Sequence, residues 1–162
     1  MKTVNLDIRP ATASQVRLVM NFIWEMAEYE KLTHEVVTDE DILRESLFGK
    51  NRSAEAVIGY HKEKPVGYAI FFYNFSSFTG RPGLYIEDIY IKPEHRGKGF
   101  GKVFLLYLAR LATDKKCGRM EWAVLTWNQP AIKFYKKLGA VSMDEWRIFR
   151  LSGDALKKLA GN

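Results

Sequence analysis

Three glycines at alternate positions, Gly97, Gly99 and Gly101, stand between an apolar strand-like run and an apolar helix-like run. The segment Glu94-His95-Arg96-Gly97-Lys98-Gly99-Phe100-Gly101-Lys102 must turn sharply and open a helix. Glycine permits both the turn and a close approach of backbone to a ligand. Free N–H groups at a helix start, the helix dipole and two lysines together form an anion site suited to a pyrophosphate. Two familiar phosphate loops fail on spacing. The dinucleotide fingerprint G-x-G-x-x-G needs its third glycine one residue later. The P-loop G-x-x-x-x-G-K-[ST] needs a loop one residue longer and a hydroxyl where Val103 stands. A flexible basic loop is the plain alternative, and the apolar runs on either side argue against it.

The rest of the chain reads as an α/β frame around this loop. Val4, Leu6 and Ile8 alternate with polar residues as a strand, ended by Pro10. Thr12-Ala13-Ser14-Gln15 has the form of a capping box. Val16, Val19, Met20, Ile23, Met26 and Ala27 then recur at helical spacing to about Tyr29, with Phe22 and Trp24 expected in the core. A second helix starts near Thr38, whose hydroxyl can cap it, runs through Ile42, Leu43 and Leu47, and stops at Gly49. Three strands follow in a row, Ala54–Tyr60, Val66–Phe75 and Leu84–Ile91, with a turn at His61–Pro65 and a looser loop at Ser76–Gly83. Gly99–Lys116 predicts a helix with Val103, Leu106, Leu108, Leu111 and Ala112 as its core positions. Met120–Leu125 predicts a strand. Asn128 caps a further helix, with Pro130 in its first turn and Gly139 just past its end. Ala140–Met143 and Arg147–Leu151 read as late strands, and Ser152–Leu159 as a last helical turn or two. The order β-α-α-β-β-β-α-β-α-β-β is an α/β chain with a central meander and crossover helices.

Composition narrows the function classes. A length of 162 residues predicts one domain, 1–162. A single cysteine excludes an intrachain disulfide framework and a thiolate zinc cluster, and three scattered histidines make no metal site. The longest apolar runs, Val66–Tyr73 and Val103–Ala109, fall short of the roughly 20 residues that cross a bilayer. Met1–Pro10 has no signal-peptide core, so a reduced, cytoplasmic protein is expected. The net charge is +6. Such a field attracts nucleic acid, an anionic membrane or an anionic small ligand, although a plain surplus of surface lysine is its commonest cause. The basic residues are scattered except at the glycine loop, so neither nucleic acid nor membrane is expected as a partner.

Arg96-Gly97-Lys98-Gly99-Phe100-Gly101 resembles the R/Q-x-x-G-x-G/A acyl-CoA loop of the GNAT superfamily of N-acetyltransferases. Glu87-Asp88-Ile89-Tyr90-Ile91-Lys92-Pro93 is similar to that family's central strand, which ends in a proline just before the loop. Asn128-Gln129-Pro130-Ala131-Ile132-Lys133-Phe134-Tyr135-Lys136-Lys137-Leu138-Gly139-Ala140 resembles its N-x-x-A-x-x-F-Y-x-x-x-G-F element. The three lie in the family's order and the resemblance spans essentially the whole chain. Within the family, Ile8–Ala13, Tyr29-Glu30, Tyr85–Asp88, Trp127–Pro130 and Glu145–Phe149 look closest to the diamine (spermidine/spermine) acetyltransferases. The chain departs from that subgroup at Ser76, Ser77 and Phe78, where the polyamine enzymes have an acid and a tryptophan.

The resemblance implies a mixed, mostly antiparallel central sheet flanked by helices, with a splay between the central strands. It implies acetyl-CoA as co-substrate and no metal. The cofactor-binding positions would be Ile89, Ile91, Arg96, Gly97, Lys98, Gly99, Phe100, Gly101, Lys102, Asn128 and Tyr135. The acceptor would be a small-molecule primary amine of polyamine or diamine type, held by Tyr29, Glu30, Glu87, Asp88 and Trp146 in a homodimer. An alkyl ammonium has a pKa near 10 and attacks only after losing a proton. Glu87 would take that proton directly or through water, and Tyr135 would protonate the departing thiolate. Plainer readings stand beside these. Asp88 could be a strand-end acid bonded to a Lys or Arg, Tyr135 a core aromatic beside a core Phe134, Asn128 an N-cap only. Trp127 and Trp146 suit packing as well as a substrate groove, Cys117 reads as inert, and His34, His61 and His95 as solvated. Other functions remain as alternatives: acetylation of a lysine-like, thialysine-like or protein amine, a non-catalytic CoA-binding module, or a nucleic-acid-binding module.

Overall fold

The apolar run at the centre of the sequence becomes the strand on which the sheet is built. A computed structural model describes residues 4–161. They fall into two units, Met1–Ala123 and Val124–Asn162.

The first unit carries five strands in the spatial order β1-β2-β3-β4-β5: β1 (Asp7–Pro10), β2 (Glu55–His61), β3 (Lys64–Ser76), β4 (Arg81–Ile91) and β5 (Arg119–Trp122). The first three pairings are antiparallel. The last is parallel, and the helix between its strands supplies the crossover that a parallel pair requires. The sheet is therefore mixed and mostly antiparallel, as the family resemblance implies. It is flanked by α1 (Val16–Glu30), α2 (Glu40–Phe48) and α3 (Phe100–Asp114).

One core fills the face under α1 and α2. Val16, Val19, Met20 and Phe22 of α1 and Leu43 and Leu47 of α2 close on Ala56, Ile58, Tyr68, Ile70 and Tyr90 of the sheet. The helix α3 packs on β4 and β5. Its buried side chains are Phe100, Phe104, Leu108 and Ala112, a stripe of every fourth residue from the first helical position, with Leu105 beside it. Leu106, expected in the core, points off that stripe and is exposed. Trp24 is likewise exposed, while Phe22 is fully buried.

Local signals hold with small shifts. The capping box forms, with the Thr12 N–H donating to Gln15 Oε1 at 3.0 Å, but it opens a 3₁₀ turn (Ala13–Gln15) ahead of α1. Asp39 rather than Thr38 caps α2, accepting from the N–H groups of Asp41 and Ile42 at 3.0 and 2.8 Å. The carboxylate replaces the expected hydroxyl because its position leaves those two N–H groups within reach.

The second unit holds α4 (Gln129–Lys137) and α5 (Gly153–Leu159). Asn128 caps α4, its Oδ1 accepting from the Ala131 N–H at 3.4 Å, and Gly139 follows with φ +90°. Ala140–Met143 and Arg147–Leu151, expected as strands, form none. A strand exists only against a partner, and no strand within this unit offers one. Among the described residues no helix is long and apolar enough to cross a membrane.

Candidate active site

The parallel pairing of β5 stops early. Its four residues Arg119–Trp122 pair with Gly83–Ile86 of β4 and go no further. From Asp88 to Ile91, β4 is paired on the β3 side alone. The direction of the backbone groups on this open edge follows from two contacts. The Lys92 N–H donates to Val66 O at 2.9 Å, on the β3 side. Alternate residues of an antiparallel ladder face opposite sides, so Ile91 and Ile89 turn their amides outward. The Ile91 carbonyl confirms it, accepting from Arg96 Nε at 2.9 Å instead of from β3. Two N–H groups therefore line the splay, ready for an extended amide-rich chain to pair as an added strand.

A bulge lies just before this edge. Ile70 pairs with Asp88, and Phe71 with Ile86, so Glu87 is the extra residue. Such an insertion inverts the alternation of side chains beyond it. Asp88 and Tyr90 consequently join the α1 face of the sheet, and Glu87 is left exposed. Asp88 accepts a hydrogen bond from the Tyr68 hydroxyl at 2.8 Å. The Tyr68 ring is stacked on Phe22 of α1, with centroids 5.3 Å apart and planes at 6°. Burial pushes the Asp88 carboxyl up to about 6, the Tyr68 hydrogen bond pulls it down, and the like charges of Glu87 and Glu30 add to the rise. Burial also raises the carboxyl of half-buried Glu30, the last residue of α1. Among the described residues no Lys, Arg or His forms an ion pair with Glu30, Glu87 or Asp88. The reading of Asp88 as a strand-end acid bonded to a Lys or Arg is thereby excluded.

After β4 the chain passes through a 3₁₀ turn (Pro93–His95) into the glycine loop. Gly97 and Gly99 have φ of +74° and +85°, the left-handed region that side chains avoid. Gly99 is the residue before α3, so the loop delivers its N–H groups at a helix start. Lys98 folds back to donate to Glu94 O at 2.8 Å. Lys102 is exposed in the first turn of α3. Phe100 is buried, its ring 5.2 Å from that of His61 and 6.2 Å from that of His95, so what it offers a ligand is backbone. The two histidines are not simply solvated. His61 Nδ1 lies 2.7 Å from Asn5 O, and burial pushes the His95 imidazole below its usual value, with Lys98 adding to the fall.

Arg96 spans two elements. Its guanidinium lies 4.1 Å over the Tyr29 ring and 5.4 Å from the Tyr90 ring. Lys92 reaches Glu25 at 3.2 Å, a second tie between α1 and the end of β4. These contacts bring Tyr29 and Glu30 into one neighbourhood with Asp88 and the loop.

Within the second unit, Tyr135 lies on α4 beside Phe134, the ring centroids 5.5 Å apart, and Phe134 is half-buried. Trp146 and Trp127 are exposed. Tyr68 was not singled out by sequence. The available signal was a hydroxyl in the apolar middle of a strand, which must find a partner when buried. The bulge at Glu87 left no sequence signal at all.

The sequence pattern of the family described as Acetyltransferase (GNAT) family matches residues 17–140. A thialysine N-epsilon-acetyltransferase of Sus scrofa is 38% identical over 165 aligned residues, which cover 95% of this chain and 96% of that protein. A spermidine/spermine N(1)-acetyltransferase-like protein of Homo sapiens is 30% identical across 99% of this chain and 25% of its own length. Among solved structures, an integron cassette protein of V. cholerae superposes with a TM-score of 0.80 at 26% identity, covering 97% of this chain and 98% of that one.

Proposed function

The chain belongs to the GNAT acetyltransferase family and is an N-acetyltransferase acting on amines, and from this premise we propose that it carries acetyl directly to a terminal primary amine of a small diamine-like or polyamine-like molecule. The observation that carries the acceptor class is the uncompensated carboxylate set Glu30, Glu87 and Asp88 beside the open edge of β4. On a chain of net charge +6, three acids that act on one another without a basic partner among them form a local acidic cluster, and an alkyl ammonium supplies the opposite charge.

Family members use acetyl-CoA as co-substrate, and the donor set fits it. Acetyl-CoA supplies an acetyl group activated as a thioester. The outward N–H groups of Ile89 and Ile91 would hold its amide-rich arm and polarise the acetyl carbonyl. The glycine loop from Gly97 to Gly101, with Lys102, would hold its phosphates at the α3 N-terminus, and Arg96 would fix the loop. Glu87, exposed at the bulge, would accept the ammonium proton directly or through water, leaving Asp88 and Glu30 to hold the cation. Tyr135 is assigned as the acid that protonates the departing thiolate, and Asn128 as a cofactor contact besides its capping role. Both assignments rest on the matched N-x-x-A-x-x-F-Y pattern. Tyr29 and Trp146 complete the proposed acceptor set.

A second reading has an observation in its favour. The β3–β4 hairpin tip carries Ser76, Ser77 and Phe78 and no acid. A long polycation finds no second carboxylate there, whereas a lysine-like side-chain amine needs none. The thialysine acetyltransferase similarity points the same way.

We further read the two units as one acetyltransferase domain, in a cytoplasmic homodimer. Support for the dimer comes from the subgroup resemblance and from the late segment, where Ile148 and Phe149 are 80% and 91% exposed. A monomeric mass in light scattering at micromolar concentration defeats it. The acceptor is tested with 1,3-diaminopropane, spermidine, thialysine and a lysine peptide, each assayed with acetyl-CoA by thiol release. Turnover of 1,3-diaminopropane or spermidine well above the others supports the leading reading, turnover of thialysine or the lysine peptide above both supports the second, and no turnover of any of the four rejects both.

A further inference from the structure

The hydroxyl of Tyr68 has no packing role. The residue is fully buried, and its ring stacks on Phe22 as a phenylalanine ring would. A buried hydroxyl costs stability unless it is bonded. This one donates to Asp88 Oδ2 at 2.8 Å, with Met26 Sδ beyond at 3.8 Å. The pair is made possible by register. Tyr68 stands opposite Tyr90, and Asp88 opposite Ile70, so the two are diagonal neighbours across the β3–β4 ladder. Without the bulge at Glu87, Asp88 would turn to the other face of the sheet and the bond could not form.

A carboxylate beneath a helix, facing other acids, is an expensive choice for a core. The groups acting on it are Tyr68 from β3, Glu30 from α1 and Glu87 from β4 itself. Two of the three repel its charge. Only the Tyr68 hydroxyl favours it. The phenol is itself held well above its usual range, by burial first and then by the Asp88 charge, so it remains a donor at every working pH.

We propose that Tyr68 is a positioning residue of the acceptor site, whose hydroxyl aims the Asp88 carboxylate and stabilises its charged form so that it can receive the substrate ammonium. The proposal rests on the acceptor reading given above. It assigns the bulge a purpose: one inserted residue sends Glu87 outward as the proton acceptor and turns Asp88 inward onto a fixed donor. Neighbouring acids thereby take different tasks from different environments.

The test uses protein carrying ¹³C-labelled aspartate carboxyls, with the Asp88 signal identified by its loss in Asp88→Asn. In Tyr68→Phe, which keeps the ring and its stacking, the Asp88 titration midpoint should move up by roughly one to two pH units, the worth of a hydrogen bond to a charged group. The acid limb of kcat/KM for thialysine or 1,3-diaminopropane should move up with it. In the Asp88→Asn background, adding Tyr68→Phe should shift the limb no further. An unmoved midpoint, or a moved midpoint with an unmoved limb, overturns the proposal. If the wild-type protein acetylates no amine, the acceptor reading falls, and the carboxyl titration alone still judges the Tyr68–Asp88 link.

Discussion

Arg96 donates from Nε to the carbonyl of Ile91, five residues earlier, and lays its guanidinium over Tyr29. One side chain thus ties the open end of β4 to the start of the glycine loop and to the end of α1. The bond also occupies the Ile91 carbonyl on the splay side and leaves the Ile91 N–H for a ligand. Geometry of this kind prepares a site before the ligand arrives, which is where binding energy is otherwise lost to ordering.

Arg96→Ala should therefore weaken acetyl-CoA or CoA binding by about tenfold, since it removes one exposed charge-assisted hydrogen bond and the cation–ring contacts with Tyr29 and Tyr90. Arg96→Lys keeps the charge without the planar fork and should recover only part of the loss. Calorimetric titration with CoA checks both. Full affinity in the alanine variant would show that the loop holds its shape unaided.

Gly99 offers a sharper test of the loop. Its φ is +85°, and a Cβ there would stand 3.2 Å from Val4 Cγ2. Gly97 shares the left-handed backbone at +74° but has open space around it. Gly99→Val adds a β-branched chain at a strained, crowded position and should abolish CoA binding. Gly97→Ala suffers strain alone and should lose less. Circular dichroism confirms that each variant is folded. Equal losses in the two variants contradict the ranking.

The particular elements show what the sequence reveals and why. Strands β2, β3 and β4 and the helix α3 are legible because long apolar runs end at Pro, Gly or charged turns. The glycine loop is legible because its backbone demands glycine. Asp88 is legible as an acid near the splay, but its environment is not. Whether Asp88 faces α1 depends on a bulge, a one-residue property of pairing between two strands that neither strand encodes by composition. The late strands fail for the opposite reason. Val141, Met143, Ile148 and Leu151 have the apolar pattern of a strand, yet a strand is a relation between segments, and their unit holds no partner.

Asp88 should make the protein less stable at neutral pH than it could be. Its folded-state value of about 6 lies above the ordinary 3.8, so the native state holds this proton more tightly than the unfolded chain does. Stability is then greatest below the lower value, falls as pH rises between the two, and carries the full penalty above the higher. Asp88→Asn cannot ionise and still offers an amide oxygen to Tyr68. At pH 7 it should exceed the wild type by roughly 1–3 kcal/mol, and by nothing near pH 4. Urea unfolding at the two pH values measures the difference. A gap that is the same at both would mean that Asp88 does not carry the assigned shift. The same variant should bind the amine poorly, so stability and activity move in opposite directions.

The two proposed proton carriers, Tyr135 and Glu87, should separate by pH. Tyr135→Phe keeps the ring and its contact with Phe134, and removes only the hydroxyl. A general acid contributes about 10²–10⁴ in rate, so kcat should fall by that order with little change in CoA affinity. An ordinary phenol is a neutral donor well below pH 10, so between about pH 6 and 8 the loss should be nearly constant. Glu87→Gln should behave differently. The acceptor amine is almost wholly protonated at neutral pH, and its loss of a proton is the step proposed for Glu87. The defect should be largest near pH 6 and shrink as the pH approaches the amine pKa of about 10, where free amine becomes abundant. Adding Tyr68→Phe to Glu87→Gln should deepen the acid limb, because Asp88 still has to be charged to hold the cation. A pH–rate profile of all three variants on the best amine decides. Near wild-type kcat in Tyr135→Phe assigns the acid to another hydroxyl or to water, and a Glu87→Gln defect that does not recover with rising pH makes Glu87 a binding residue instead of a base.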